Sequence, residues 1–356
     1  MGTTPDLDER RSQRPSRFAY QDLLVGPVSA IPSLLAEHGL NPTLVLAEVG
    51  LAPGLFDHPE SRVSYEALAR LLATCVERTQ CRHFGLLVGQ RFRMESMGVL
   101  GGLMCNSPTL RDALRIATTH LELQDRGSIS IALDMGNSRS ALGYSVFAGN
   151  VPAADQILDG AIAIHHQMLR RLCGRSWKAA SVQFSHSRPA RIAPFRKFFG
   201  ANVTFDARVS AVVFDSRWLD QPVVGADPAS YAAILKAVES IQSAQPTPFL
   251  EQVRRAIYSM AFNASVSAAD LARLFGLNER MLQRRLKQEG VTARELVGEV
   301  RSELSQHLLR DTDLPIAGIS SLLGYSDATV FARAFRVWSG LSPTEWRQMN
   351  ASVERP

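Results

Sequence analysis

GLNERMLQRRLKQEG (276–290) and GYSDATVFARAFRVWSG (324–340) are two versions of one short pattern, the first crowded with charge, the second charged only at Asp327, Arg333 and Arg336. The likeness extends beyond them. Ala272-x-x-x-Gly276 matches Ser320-x-x-x-Gly324 at an offset of 48, and Leu282, Arg284 and Leu286 match Phe331, Arg333 and Phe335 at 49. The run from Gly290 to Glu295 matches that from Gly340 to Glu345 at 50. Loops tolerate such single-residue drifts; helix interiors do not. The chain therefore contains an internal repeat whose units are helices separated by turns.

Each copy reads as helix, tight turn, helix. A small residue sits where two helices cross, and the glycine after it can take the positive φ needed to leave the first helix. The second helix then starts at Asn278 or Ser326, both good N-caps. Behind each copy stands a capping box, Thr292-x-x-Glu295 and Ser342-x-x-Glu345. The pattern predicts helix-turn-helix units over 268–289 and 316–338. A connecting helix from Ala293 to Leu309 would be about 25 Å long at 1.5 Å per residue. Successive major-groove faces on one side of DNA lie about 34 Å apart, so a connector of that length suits a monomer that reaches both.

A helix that enters a major groove buries one stripe in its own unit and offers the other to bases and phosphates. In the first copy Leu282 and Leu286 form the buried stripe, while Arg280, Gln283, Arg284 and Lys287 point outward. Arg and Gln carry paired groups that match guanine and adenine edges. In the second copy Phe331, Ala334, Phe335 and Trp338 are expected inside, with Ala328, Thr329, Ala332, Arg333 and Arg336 outside. Ala328 and Thr329 suit a thymine methyl. A basic helix face is more often merely solvated, but here the charges fall at the recognition position of a duplicated unit.

Composition agrees without deciding the matter. A net charge of +5 spread over 356 residues, with 46% hydrophobic content, describes an ordinary globular chain that tolerates an anionic partner. The N-terminus is polar and Arg-rich, and no stretch is long and apolar enough for a membrane span, so a cytoplasmic location without membrane contact is expected. Residues 1–17 read as a disordered tail, 18–242 as one folded part, and 243–248 (SAQPTP) as a linker. Residues 249–350 form the helical part, and 351–356 a second tail. In the N-terminal part, helices are expected over Ile31–Leu40, Pro42–Leu51, Ser64–Thr79, from Ser107 with Pro108 at its first position, and from Ala153. A hairpin is expected around Gly136-Asn137-Ser138, with later strands at SVQFSH, NVTFD and SAVVFD. Helices in front and antiparallel strands behind give an α+β domain, followed by an all-α domain with two helix-turn-helix units.

The C-terminal hundred residues resemble the DNA-binding domain of the AraC/XylS family of bacterial transcription regulators. Leu282, Arg284, Gly290, Arg301, Leu308, Leu309, Thr312, Asp313, Leu314, Ile316, Ile319, Leu323, Gly324, Tyr325, Ser326, Asp327, Phe331, Arg333, Ala334, Phe335, Gly340, Ser342, Pro343 and Arg347 carry the pattern. Ser320 and Ser305 depart from its usual alanines, and Leu286 from its usual phenylalanine. The N-terminal part is similar to the branch with an arabinose-binding-type domain, through GVLGGLMCNSPTLRDALRIA (98–117), VQFSHSRP (182–189) and FFGANVTFDARVSAVVFDSRWLDQPV (198–223). The resemblance implies a sensing and dimerising N-terminal domain, a homodimer on double-stranded promoter DNA, a small-molecule effector and activation of transcription, with RNA polymerase as a further partner.

Other chemistry finds little purchase. His120, Tyr144, His165 and His166 are the candidate effector-binding residues, although adjacent histidines on a helix face different ways. No spacing of His120, His165, His186 and the cysteines makes a zinc site, and no cofactor is expected. The nucleophile elbow, P-loop and metalloprotease motifs are missing. A DNA-repair methyltransferase is the enzymatic alternative, since some carry this type of DNA-binding domain. It would need an activated thiolate at Cys75, Cys81, Cys105 or Cys173, which lie mostly in apolar contexts. The other alternative is a dimerising DNA-binding protein that senses nothing.

Overall fold

A computed structural model describes residues 22–146, 153–207, 209–244, 248–261, 266–311 and 314–351. The expected tail at 1–17, most of the 351–356 tail, and the matched Thr312 and Asp313 lie outside them. The N-terminal half opens with β1 (Asp22–Leu24), α1 (Ile31–Glu37) and α2 (Pro42–Glu48), followed by β2 (Arg62–Ser64), which pairs antiparallel with β1. Then come α3 (Tyr65–Thr79), α4 (Phe84–Gln90), α5 (Gly98–Cys105) and α6 (Leu110–Thr119). Side-chain caps set several of these starts: Asn41 accepts from Thr43 N, Ser64 from Ala67 N and Thr109 from Asp112 N. The last cap corrects the expected start at Ser107. Thr109 exchanges hydrogen bonds with Asp112, so Ser107 and Pro108 stay outside the helix.

Next, β3 (Ser128–Gly136) and β4 (Arg139–Val146) form the hairpin, with Asn137 and Ser138 both at positive φ as its two-residue turn requires. They are followed by α7 (Ala154–Cys173), β5 (Ser181–Gln183), α8 (Ala193–Phe199), β6 (Asn202–Thr204), β7 (Ser210–Asp215) and α9 (Pro228–Ala244). The five-stranded sheet has the order β3-β4-β7-β5-β6, antiparallel except for β5 and β6, which run parallel because α8 crosses between them.

The helical half comprises α10 (Phe249–Ala261), α11 (Ala268–Leu274), α12 (Glu279–Gln288), α13 (Ala293–Asp311), α14 (Ile316–Leu322), α15 (Ala328–Ser339) and α16 (Pro343–Ala351). The expected linker at 243–248 is shorter than SAQPTP suggested. Ser243 and Ala244 close α9, Pro248 precedes α10, and 245–247 lie outside the described residues.

The central strands β4 and β7 are buried on both faces, which period-two alternation sorts cleanly. Leu142, Tyr144, Val212 and Phe214 enter the N-terminal core beneath α7, α3 and α4. Ala141, Ala211 and Val213 point the other way, into a second core with Val253 and Ile257 of α10 and the leucines of α13. The helix α10 packs on β3 and on α13, so it joins the two halves. Arg254 reinforces this from the helical side by pairing with Glu299 at 2.8 Å and Glu303 at 3.4 Å.

Candidate nucleic-acid interface and ligand cavity

The duplication predicted from sequence is visible bond by bond. Leu277 N donates to Ala272 O at 2.8 Å and Tyr325 N to Ser320 O at 3.0 Å, closing the same turn in each unit. Gly276 and Gly324 take φ of 63° and 74° there, and Gly290 and Gly340 take 76° and 77° at the far ends of α12 and α15. Both capping boxes form: Thr292 N donates to Glu295 Oε2 at 2.8 Å, and Ser342 N to Glu345 Oε2 at 2.8 Å. Asn278 caps α12 through Met281 N. The cap of α15 is Asp327 in place of the expected Ser326. Its carboxylate accepts from both Thr329 N and Val330 N, and those bonds hold it below its usual range. A carboxylate at a helix N-terminus also meets the positive end of the helix dipole, which a serine cannot exploit.

On α12 the two stripes separate completely. Leu282 and Leu286 are fully buried, while Arg280, Gln283, Arg284 and Lys287 are exposed along one face. Among the described residues no ion pair engages those three cations. Arg285, one step round the helix, is instead drawn over the Phe249 ring at 5.2 Å. The cationic stripe is thus left to solvent or to a partner, and its opposite side is fixed by packing.

On α15 Phe331 and Phe335 are fully buried, and Trp338 and Ala334 are partly so. Thr329, Arg333 and Arg336 are exposed, Ala328 is half-buried, and Val330 and Val337 join the outer face at 43% and 82% exposure. The sequence reading placed these two valines on neither face. Between the units, α13 spans 19 residues, about 28 Å at 1.5 Å per residue. Arg347 ties α16 to it through Leu309 O, and Arg301 lies 5.1 Å over the Tyr325 ring.

In the N-terminal half a cavity of about 90 Å³ lies between α3, α4, α7 and the hairpin. Its walls are mainly hydrocarbon, from residues such as Leu68, Leu72, Val88, Ile157 and Met168. One wall is polar. Asp125 is buried, and its Oδ2 accepts from Tyr65 Oη at 2.6 Å, Tyr144 Oη at 2.7 Å and Ser128 Oγ at 2.5 Å, while Oδ1 accepts from Gly127 N at 3.0 Å. Burial, and then the Asp125 charge, keep both phenols protonated, well above their ordinary range. Glycines make the α4–α7 wall tight: a Cβ on Gly85 would lie 2.0 Å from Gln156 O.

Of the residues singled out as effector contacts, the structure places Tyr144 and His165 at this cavity. His165 Nε2 meets Ser130 Oγ at 3.2 Å, and burial pushes its pKa down to about 4. The other two stand elsewhere. His166, also pushed down to about 4 by burial, is enclosed by the rings of Trp177, Phe198 and Phe199, and half-buried His120 ends α6 away from the cavity wall. Sequence reasoning missed Asp125, Tyr65, Ser130 and Gln124, which come from separate elements and form no local motif. All four cysteine thiols are pushed up by burial, Cys75 and Cys173 to about 12. Among the described residues no helix is long and apolar enough to cross a membrane, and no His, Cys, Asp or Glu cluster could hold a metal ion.

Residues 39–223 match the family described as the arabinose-binding N-terminal domain of AraC transcription regulators, and residues 271–349 match a helix-turn-helix domain. The chain is similar to an ornithine utilization regulator of Pseudomonas aeruginosa, 25% identical over 94% of this chain and 99% of that protein. It is similar also to the HTH-type transcriptional regulator VirS of Mycobacterium tuberculosis, 25% identical over 88% of this chain and 93% of the relative. Among solved structures, the transcriptional regulator CdpR of Pseudomonas aeruginosa aligns over 98% of this chain and all of its own, at 19% identity and a TM-score of 0.45.

Proposed function

Because the chain belongs to the family of AraC-type transcription regulators with an arabinose-binding-type N-terminal domain, we propose that its exposed α12 stripe reads bases in a promoter while its N-terminal cavity receives a small effector. The protein is a DNA-binding transcription regulator. One observation carries the division of roles within it: Arg280, Gln283, Arg284 and Lys287 stand exposed, with the three cations in no ion pair among the described residues, on the second helix of a helix-turn-helix whose other stripe is fully buried. Arginine and glutamine placed so can bond guanine and adenine edges bidentately. The second unit carries methyls and two arginines on its outer face, which suits an anchoring contact with thymine methyls and phosphates.

The effector reading rests on the cavity, a largely apolar space with a few convergent polar groups of the kind that holds small molecules. A homodimer that activates transcription from paired sites, with RNA polymerase as neighbour, completes the proposal, and the cell compartment is the cytoplasm, where promoters lie. Cysteine-based methyl transfer is not supported, since raised thiols are poor nucleophiles at neutral pH. Footprinting on fragments upstream of the protein's own and adjacent genes tests the proposal. Wild type should protect one or more sites, and Arg280→Ala with Arg284→Ala should lose them; protection unchanged in the double variant would overturn it.

A further inference from the structure

The cavity wall also restricts what can bind there. This step rests on the effector reading above and goes on to the chemistry of the ligand. Asp125 is the charged side chain on the wall, and among the described residues no lysine or arginine lines it. An anionic ligand would lose its hydration with no cation in return and would face that carboxylate. A cationic ligand fares little better. The two Asp125 oxygens already accept from Tyr65, Tyr144, Ser128 and Gly127, and breaking those bonds would leave buried donors unpaired.

Two polar groups at the wall are not used, His165 Nδ1 and the amide nitrogen of Gln124. Gln124 is 4% exposed, it lines the cavity, and its Nε2 has no hydrogen-bond partner among the described residues. An amide nitrogen of this kind only donates, so it calls for an acceptor atom. Its neighbour Gln156 shows the contrast, since that side chain accepts from Gly85 N at 3.0 Å and donates to Arg82 O at 3.0 Å. A buried donor left without a partner is costly in a core, and a ligand oxygen would remove that cost once the Gln124 amide, itself closed off in this structure, turns to the open space.

We propose that the cavity takes a short, uncharged molecule with a hydrocarbon body and one carbonyl-type oxygen, which accepts a hydrogen bond from Gln124 Nε2 while the body packs against Leu68, Leu72 and Met168. The open volume of about 90 Å³, several times what one water needs, accommodates a small hydrocarbon chain.

The test uses the full chain and three six-carbon probes, 2-hexanone, hexanoate and hexylammonium, in thermal-shift and calorimetric titrations. 2-Hexanone should stabilise the protein and the two charged probes should not. Gln124→Leu should weaken 2-hexanone about tenfold, the worth of one hydrogen bond, while the Tm of the free protein stays equal or rises, because an unpartnered donor has gone. A merely structural glutamine would instead lower that Tm. Stronger binding of hexanoate or hexylammonium would overturn the ligand class and leave the cavity reading standing. Failure of all three probes would overturn both. Binding of 2-hexanone unaffected by Gln124→Leu would overturn the assigned donor.

Discussion

Single residues carry much of what distinguishes the two helix-turn-helix units. Ser320 occupies the crossing position held by Ala272 in the first unit, and its hydroxyl is buried without a hydrogen-bond partner among the described residues. Ser320→Ala should therefore raise stability, by about 1 kcal/mol on the ordinary cost of a buried unpaired hydroxyl. Urea denaturation measures it, and a loss of stability would show that the hydroxyl has a role. The caps work in the opposite direction: Asn278→Ala and Asp327→Ala should each cost about 1 kcal/mol. Histidine protonation supplies a pH dependence. Burial lowers His165 and His166 from 6.5 to about 4, so the native state binds fewer protons than the unfolded chain between those values. Their contribution is intact above pH 6.5 and is lost as pH falls toward 4, by about 3 kcal/mol per histidine at 1.36 kcal/mol per pKa unit. His166→Gln should flatten the stability profile between pH 7 and 5; an unchanged slope would contradict the assignment.

At the scale of elements, the most local signals were the most legible. Capping boxes, glycines at turns and the apolar stripe of α12 specify their helices within a few residues, so the two helix-turn-helix units and the helix between them could be drawn from sequence alone. The N-cap of α15 was read one residue early because serine and aspartate are both good caps, and only the geometry shows which one meets the free amides. The N-terminal half was less open to reading. Its strands β1 and β2 are three residues each, too short to show alternation, and they pair across forty residues. The polar cavity wall was illegible for the same reason: Tyr65, Asp125 and Tyr144 meet only after helix, loop and hairpin have packed. The glycine-rich α4 follows from close packing and not from propensity. Gly85→Ala should force α4 from α7, since the added Cβ meets backbone, and cost several kcal/mol. Near-wild-type stability for this variant in thermal unfolding would contradict the tight crossing.

For the whole molecule, the second core matters most, because the sheet of the sensing half and the helices of the DNA-binding half share it. Ala141, Ala211 and Val213 lie on the face opposite Leu142 and Tyr144, so β4 carries the cavity on one side and α10 on the other. A ligand that shifts the hairpin would act directly on α10 and through it on α13. Ala211→Glu should loosen this joint. A carboxylate buried without a partner costs about 3 kcal/mol, and the amides of α10 should exchange with deuterium roughly a hundredfold faster, with α12 less affected. Unchanged exchange in α10 would show that the halves do not share a core.

The central claim is that α12 reads sequence through its exposed stripe. Its most direct measurement is the affinity of wild type and Arg284→Ala for a footprinted site and for variants with each base pair changed in turn, at one fixed salt concentration. The account predicts that Arg284→Ala loses about 1 to 3 kcal/mol on the parent site and becomes indifferent to the base at one position. An equal loss on every sequence, with discrimination intact at all positions, would show that Arg284 only contacts phosphate and would contradict the claim.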